Sequence, residues 1–245
     1  MTDIVHNIDH GAILYDSSII EKVTDDLFVP SSWPHSRVSG KDIGGRDNIF
    51  YLTNNESNYV LRHYNRGGVV SHFIKDSYFW SGAENTRSFS EWRLLQKLFS
   101  LGLPVPKPVA ALYKRYHFFY KADLITVELP KVKPLARYII DGDYFDNFWQ
   151  KAGAVIAKFH NIGLFHADLN AYNIQIDDNY KFWLIDFDKS YLTESKRRQR
   201  SNLTRLKSSI NKIIRNNSVI NFCDSNWEEL QEGYSHSIGL SLIHI

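Results

Sequence analysis

Aromatic and β-branched residues cluster over Asn48-Ile49-Phe50-Tyr51-Leu52-Thr53 and again over Tyr59-Val60-Leu61-Arg62-His63-Tyr64. The polar run Asn54-Asn55-Glu56-Ser57-Asn58 separates them, so the pattern predicts a hairpin. Ser88-Phe89-Ser90-Glu91 opens a helical pattern with Trp92, Leu95, Leu98 and Phe99 on one face, and Gly102 followed by Pro104 closes it. Residues 104–111 and 116–125 read as two further strands joined by a basic turn around Lys114-Arg115. The sum is a five-strand, one-helix N-terminal unit ending near Thr126.

The second half opens on the clearest helical period in the chain. From Asp143 to His160, the residues Phe145, Phe148, Trp149, Ala152, Val155, Ile156 and Phe159 fall on one stripe, with Gly163 past the end. A short hairpin follows, Ile174-Gln175-Ile176 and Phe182-Trp183-Leu184-Ile185 around Asp177-Asp178-Asn179. Further on, Leu203, Leu206, Ile210, Ile213 and Ile214 share a helical face, with Arg200, Arg205, Lys207, Lys212 and Arg215 off it or at its edges.

Charge changes the picture of that last helix. The whole chain carries +2, but 194–217 holds one acid against eight bases, a local +7 that leaves −5 for the rest. A helix packed on its lobe with a solvated basic face accounts for this; attraction to an anionic lipid surface or to substrate phosphates is the functional account. Nucleic acid is not expected as a partner, since no zinc-finger spacing or RNA-binding signature accompanies the basic segment. Composition, 43% hydrophobic with 23% charged, is that of a folded globular chain. With a single cysteine, no signal-peptide pattern and no run near the ~18 apolar residues of a membrane span, a cytoplasmic location is expected.

Candidate chemistry concentrates in Phe165-His166-Ala167-Asp168-Leu169-Asn170-Ala171-Tyr172-Asn173-Ile174, with Asp186 thirteen residues after Asn173 in Leu184-Ile185-Asp186-Phe187-Asp188. A hairpin brings its ends together, so Asn173 before the first arm and Asp186 after the second can share one Mg²⁺, a hard cation that takes oxygen ligands. Asp168 would stand beside them to orient a hydroxyl. A lone Asp or Asn here would read as a turn former. His-x-Asp-x-x-x-x-Asn followed by Asp-Phe after a hydrophobic strand resembles instead the catalytic and metal loops of the protein kinase-like phosphotransferases. Upstream, Gly40, Gly44 and Gly45 precede the first strand of the predicted hairpin, where backbone N–H groups can approach a ligand.

The resemblance narrows further. Residues 59–68, 86–92, Gly102-Leu103-Pro104-Val105-Pro106-Lys107-Pro108 and the 166–174 block are together similar to the bacterial Kdo kinases, over about residues 38–190. These enzymes phosphorylate 3-deoxy-D-manno-octulosonic acid (Kdo) in the lipopolysaccharide inner core. The resemblance implies an α+β, two-lobed protein kinase-like fold with a minimal helical C-lobe: residues 1–126 as the nucleotide-binding lobe and 127–245 as the lobe of catalytic loop, metal loop and basic helix. It implies ATP and Mg²⁺, a Kdo-bearing lipid A precursor as acceptor, and a peripheral position at the cytoplasmic face of the inner membrane.

Carried over position by position, Asp168 resembles the catalytic aspartate, Asn173 and Asp186 the metal ligands, and Glu91 the partner of the phosphate-gripping cation. Ser88 and Glu91 also spell a capping box, a purely structural alternative. Gly44, Gly45 and Asn170 fall at nucleotide-contacting positions. The chain departs from the common kinase pattern with Arg62 for the strand lysine, Ala167 inside His-x-Asp, Asn170 for the loop lysine and Asp188 for the glycine after Asp-Phe. His166 reads as a buttress of the metal loop. A heptose or other small-molecule kinase, and a non-catalytic nucleotide-binding module, are the alternative readings.

Overall fold

The computed structural model describes residues 3–38, 49–54, 57–65, 76–217 and 221–239. Gly44 and Gly45 lie outside the described residues. Two compact units emerge: Met1–Phe99 with Pro106–Glu128, and Ser100–Val105 with Leu129–Ile245. Residues 100–105 join the second unit because the Pro104 carbonyl accepts the Leu184 N–H at 3.0 Å.

In the first unit, β1 (Asp3–Ile8), β2 (Gly11–Asp16), β3 (His35–Val38), β4 (Ile49–Thr53), β5 (Asn58–His63), β6 (Tyr78–Phe79), β7 (Pro108–Tyr116) and β8 (Phe119–Val127) form one antiparallel sheet. Its order is β1-β2-β7-β8-β5-β4-β3, with β6 also on β8. The expected five strands thus become eight among the described residues. β1 and β2, which carry too few β-branched residues in alternation to announce themselves, meet through a two-residue turn at Asp9-His10, with His10 in the left-handed region.

The expected turn at Lys114-Arg115 is corrected to His117-Phe118. Both basic residues stay inside β7, paired with Lys121 and Tyr120, and His117 takes the positive φ. Charged residues are no obstacle to a strand whose end faces water on one side.

Alternation along the strands divides the sheet's two faces. One packs Ile13, Leu52, Leu61, Leu112 and Ile125 under a cover from residues 19–33, where Trp33 stacks against Tyr59. The other receives α1 (Arg87–Ser100), which sets Phe89 against Tyr113 of β7. Trp92, Leu95 and Leu98 are buried as the pattern required, but Phe99 remains 37% exposed because it sits about 100° round the helix from Leu98.

The second unit is mainly helical: α2 (Leu135–Asp141), α3 (Phe148–Asn161), α4 (Lys196–Asn217) and α5 (Asp224–Ser237). The expected 143–160 helix begins at Phe148 instead. Asn147, left-handed at φ 59°, cannot continue a helix backwards, and Gly142, also left-handed, ends the unanticipated α2. Phe145 therefore reaches the aromatic cluster from a loop, 4.9 Å from Phe148 and 4.4 Å from Tyr180.

Short strands complete the unit. β9 (Lys133–Pro134) pairs with β11 (Ile174–Ile176), which pairs with β12 (Phe182–Leu184); β10 (Leu164–Phe165) pairs with β13 (Tyr191–Leu192). α3 and α5 touch backbone to backbone: a Cβ on Gly153 would stand 2.0 Å from the Leu230 oxygen, and one on Gly233 2.1 Å from that of Gln150.

Candidate active site

The β10–β11 connection, residues 166–173, is held by side chains that reach backbone groups of the same loop. His166 is buried, donates Nε2–H to the Ile185 carbonyl at 3.0 Å and accepts the Asp168 N–H on Nδ1 at 3.2 Å. An Nδ1 that accepts carries no proton, so the ring is neutral; burial likewise holds its pKa below the ordinary value. It buttresses the loop that leads into Asp186.

Asn170 folds the loop tightly. Its Oδ1 accepts the N–H groups of Tyr172 at 2.8 Å and Asn173 at 3.1 Å, the Asx-type bonding that short amide side chains favour. Its Nδ2 donates to the carboxylate of Asp168, Oδ2 at 3.0 Å. Asn173 donates Nδ2 to the Asp168 carbonyl at 2.9 Å, and its own carbonyl accepts the Ile185 N–H at 3.0 Å. That last bond closes the hairpin and sets Asp186, the next residue, beside Asn173. Asp186 has φ 63°, a left-handed conformation that Asp tolerates better than bulkier residues. Phe187 then turns into the core, 5.0 Å from the His166 ring.

Asp168, Asn170, Asn173 and Asp186 are therefore brought together by local bonding. The Asp168 carboxylate remains 43% exposed. Asn170 faces Asp168 and its own loop in this structure, whereas the sequence placed it at a nucleotide.

The sequence reading anticipated α4 as a helix but not that it holds this loop. Along α4, Gln199, Asn202, Arg205 and Ser209 repeat at helical spacing and meet residues 160–171. Asn202 accepts the His166 N–H at 3.1 Å and donates to the His166 carbonyl at 2.6 Å. Ser209 Oγ accepts the Ala171 N–H at 3.2 Å, and Arg205 Nη1 lies 3.0 Å from Asp168 Oδ1. Asn202 Oδ1 also receives Nε2–H of His160 at 3.3 Å, while His160 Nδ1 accepts the Tyr234 hydroxyl of α5 at 2.9 Å. Burial pushes the His160 pKa down to about 4. Ser201, Thr204, Ser208 and Asn211 stand on the same helix, so polarity alone does not single out Gln199, Asn202 and Ser209 in the sequence.

In the first unit, Arg62 of β5 is ion-paired with Glu91 of α1, whose carboxylate is buried and also accepts the Tyr64 hydroxyl at 2.6 Å. Burial foremost, and the Glu91 charge after it, raise the Tyr64 pKa well above its usual value. The capping-box alternative is corrected: Ser88 lies inside the helix and gives its hydroxyl to the Leu112 carbonyl, and Glu91 is held by Arg62 and Tyr64.

For a divalent cation the donor chemistry is the test. Among the described residues no three His, Cys, Asp or Glu side chains gather as a metal site. Asn173 and Asp186 supply hard oxygen donors at the open end of the β11–β12 hairpin, a sparse set that suits Mg²⁺, which keeps waters and phosphate oxygens in its shell.

Residues 36–234 match the model of the lipopolysaccharide kinase (Kdo/WaaP) family. The 3-deoxy-D-manno-octulosonic acid kinase of Xylella fastidiosa (strain 9a5c) is 42% identical over 211 residues, 85% of this chain and 84% of the relative. The protein of the same name from Xanthomonas campestris pv. campestris (strain B100) is 39% identical over 232 residues, 94% and 92% of the two chains. Among solved structures, WaaP in complex with acyl carrier protein aligns with a TM-score of 0.53 at 13% identity, over 84% of this chain and 80% of that one, a likeness of fold. Matched across most of its length by that family model and by relatives about two-fifths identical, the chain belongs to the lipopolysaccharide kinase (Kdo/WaaP) family.

Proposed function

We propose that the protein is an ATP-dependent kinase that phosphorylates a hydroxyl of Kdo in lipopolysaccharide core biosynthesis. The observation that carries the chemistry is the Asp168 carboxylate, exposed yet fixed by Asn170 and Arg205. The identity to Kdo kinases over most of both chains supports the acceptor.

The reaction follows from the residues. The acceptor hydroxyl hydrogen-bonds to Asp168; its oxygen forms the new bond to the γ-phosphorus as the bond to the bridging oxygen of ADP breaks, and its proton passes to the Asp168 carboxylate. Because Asn170 and Arg205 each occupy one carboxylate oxygen from the side, the carboxylate is pre-oriented and little rearrangement accompanies the step. Arg62, held straight by Glu91 and Tyr64, grips nucleotide phosphates bidentately, in place of the point charge of a lysine. Asn173 and Asp186 would hold Mg²⁺, which when bound neutralises charge on the phosphate oxygens.

The finer setting is an acceptor anchored in the inner membrane as a lipid A precursor, with the enzyme at its cytoplasmic face and the basic α4 near anionic headgroups. No described helix is long and apolar enough to cross a membrane.

Transfer of labelled γ-phosphate from Mg·ATP to a Kdo-bearing lipid A precursor, beside the same lipid lacking Kdo, tests the reading. Label is expected on the Kdo lipid alone, with Asp168→Asn lowering kcat by about 10²–10⁴-fold. Equal labelling of both lipids would overturn the acceptor, and an undiminished Asp168→Asn rate would overturn the mechanism.

A further inference from the structure

Arg205 presents a puzzle that stability does not answer. Its ion pair with Asp168 is largely exposed, 54% for the arginine and 43% for the aspartate, and exposed pairs of this kind add little to folding. A cation that adds little to folding yet rests on the exposed Asp168 carboxylate calls for a use during turnover.

The surrounding sequence sharpens the question. From Asn161 to Tyr180 there is no lysine or arginine, and Asn170 stands where kinases of this type commonly carry a loop lysine. All positive charge that the described residues bring into a salt bridge with Asp168 comes from α4, 37 positions later in the chain. The helix is fixed in register there: Asn202, one turn before, and Ser209, one turn after, bond the backbone of His166 and Ala171. Arg205 is thus delivered to one place, the side of Asp168 opposite Asn170.

The acceptor supplies what such a cation would recognise. Kdo is a sugar acid, with a carboxylate on the same ring system as its hydroxyls. When one hydroxyl sits on Asp168, the carboxylate of that sugar lies within a ring's breadth of the same point. A guanidinium bonded through Nη1 to Oδ1 still has further N–H donors, in the planar fork that matches a carboxylate. The geometry points to Arg205 as the residue that binds the carboxylate of the acceptor sugar and so selects an acid over a neutral sugar. On acceptor binding, the guanidinium shares itself between that carboxylate and Asp168. This rests on the Kdo reading of the acceptor.

The experiment compares steady-state kinetics on two soluble-detergent acceptors, the Kdo-bearing lipid A precursor and the same molecule with its Kdo carboxyl converted to the primary amide. Wild type is expected to favour the acid about 10- to 100-fold in kcat/KM, the discrimination a charged hydrogen-bond partner gives. Arg205→Gln is expected to lose most of that preference, chiefly through a higher KM for the acid, with KM for ATP little moved. Arg205→Lys, which keeps the charge without the fork, should retain part of it.

A wild-type enzyme that uses acid and amide equally well overturns the inference while leaving the Kdo reading intact, and so does an Arg205→Gln rate that falls equally on both acceptors through kcat. Lack of transfer to either acceptor by wild type overturns the Kdo reading itself. The wild-type comparison needs no variant to fold, and Arg205, being exposed, is a site where substitution is tolerated.

Discussion

His160 shows how a residue outside the reaction ties stability to pH. Its ring is enclosed by α3, α4 and α5, with Nε2–H on Asn202 and Nδ1 receiving the Tyr234 hydroxyl, so both nitrogens are used in the neutral form. Lys196 faces it from α4, and its charge adds to the burial that lowers the His160 pKa to about 4. The unfolded chain takes up a proton near the ordinary value of 6.5, and the folded one does not until about 4. Between those limits the unfolded state binds more protons, so stability falls as pH drops, by at most about 1.4 kcal/mol per pH unit from this group. Urea unfolding of wild type and His160→Gln from pH 7 to pH 5 should show the variant's stability declining less steeply. Parallel slopes for the two proteins would mean that His160 is not the group responsible.

The candidate catalytic loop was legible at this scale as a fold, since His166, Asp168, Asn170, Asn173 and Asp186 are joined by bonds that span few residues or one hairpin. Asn202 and Arg205 were not. Their partners lie 36 and 37 positions away, and nothing in a helix's own period tells which of its polar residues will face a loop.

At the scale of elements, sequence propensity and packing pull in opposite directions. Gly153 lies in the interior of α3 and Gly233 in that of α5, where alanine would favour an isolated helix by about 1 kcal/mol. Both occur because the helices cross with backbone in contact, as the 2.0 Å and 2.1 Å approaches of their missing Cβ atoms to opposing carbonyl oxygens require. Gly153→Ala is therefore expected to destabilise by about 2–3 kcal/mol, against the propensity, because backbone atoms cannot step aside as side chains do. Chemical denaturation of the purified variant measures it; a stability equal to or above wild type would show that the two helices part easily. The same contest explains which elements were legible. α1, α3 and α4 carry long apolar periods, so their existence was plain. α2 is only two turns, and α5 buries Trp227, Leu230 and Gly233, too sparse a stripe to separate from a loop.

At the scale of the whole molecule, the net charge of +2 conceals opposed parts, +7 over residues 194–217 and −5 elsewhere. α4 divides its residues between two tasks. Gln199, Asn202, Leu206, Ile210 and Ile213 are buried, and Arg197, Arg198, Arg200, Lys212 and Arg215 are exposed. Among the described residues, these five make no contact that holds residues 166–173, and they face solvent where they can meet an anionic surface if the enzyme works on an acceptor in a bilayer. Each base near such a surface contributes about 1 kcal/mol, about fivefold in partition, and the attraction decays over a Debye length of about 8 Å at physiological salt. The protein should therefore co-sediment with vesicles containing phosphatidylglycerol and not with phosphatidylcholine alone, and should be released as salt rises. Replacing Arg197 and Arg198 together by Gln should weaken partition by about 25-fold while leaving phosphorylation of a detergent-dispersed acceptor near the wild-type rate. Binding that ignored lipid charge or salt would remove the membrane role from α4 and leave it as the clamp on the catalytic loop.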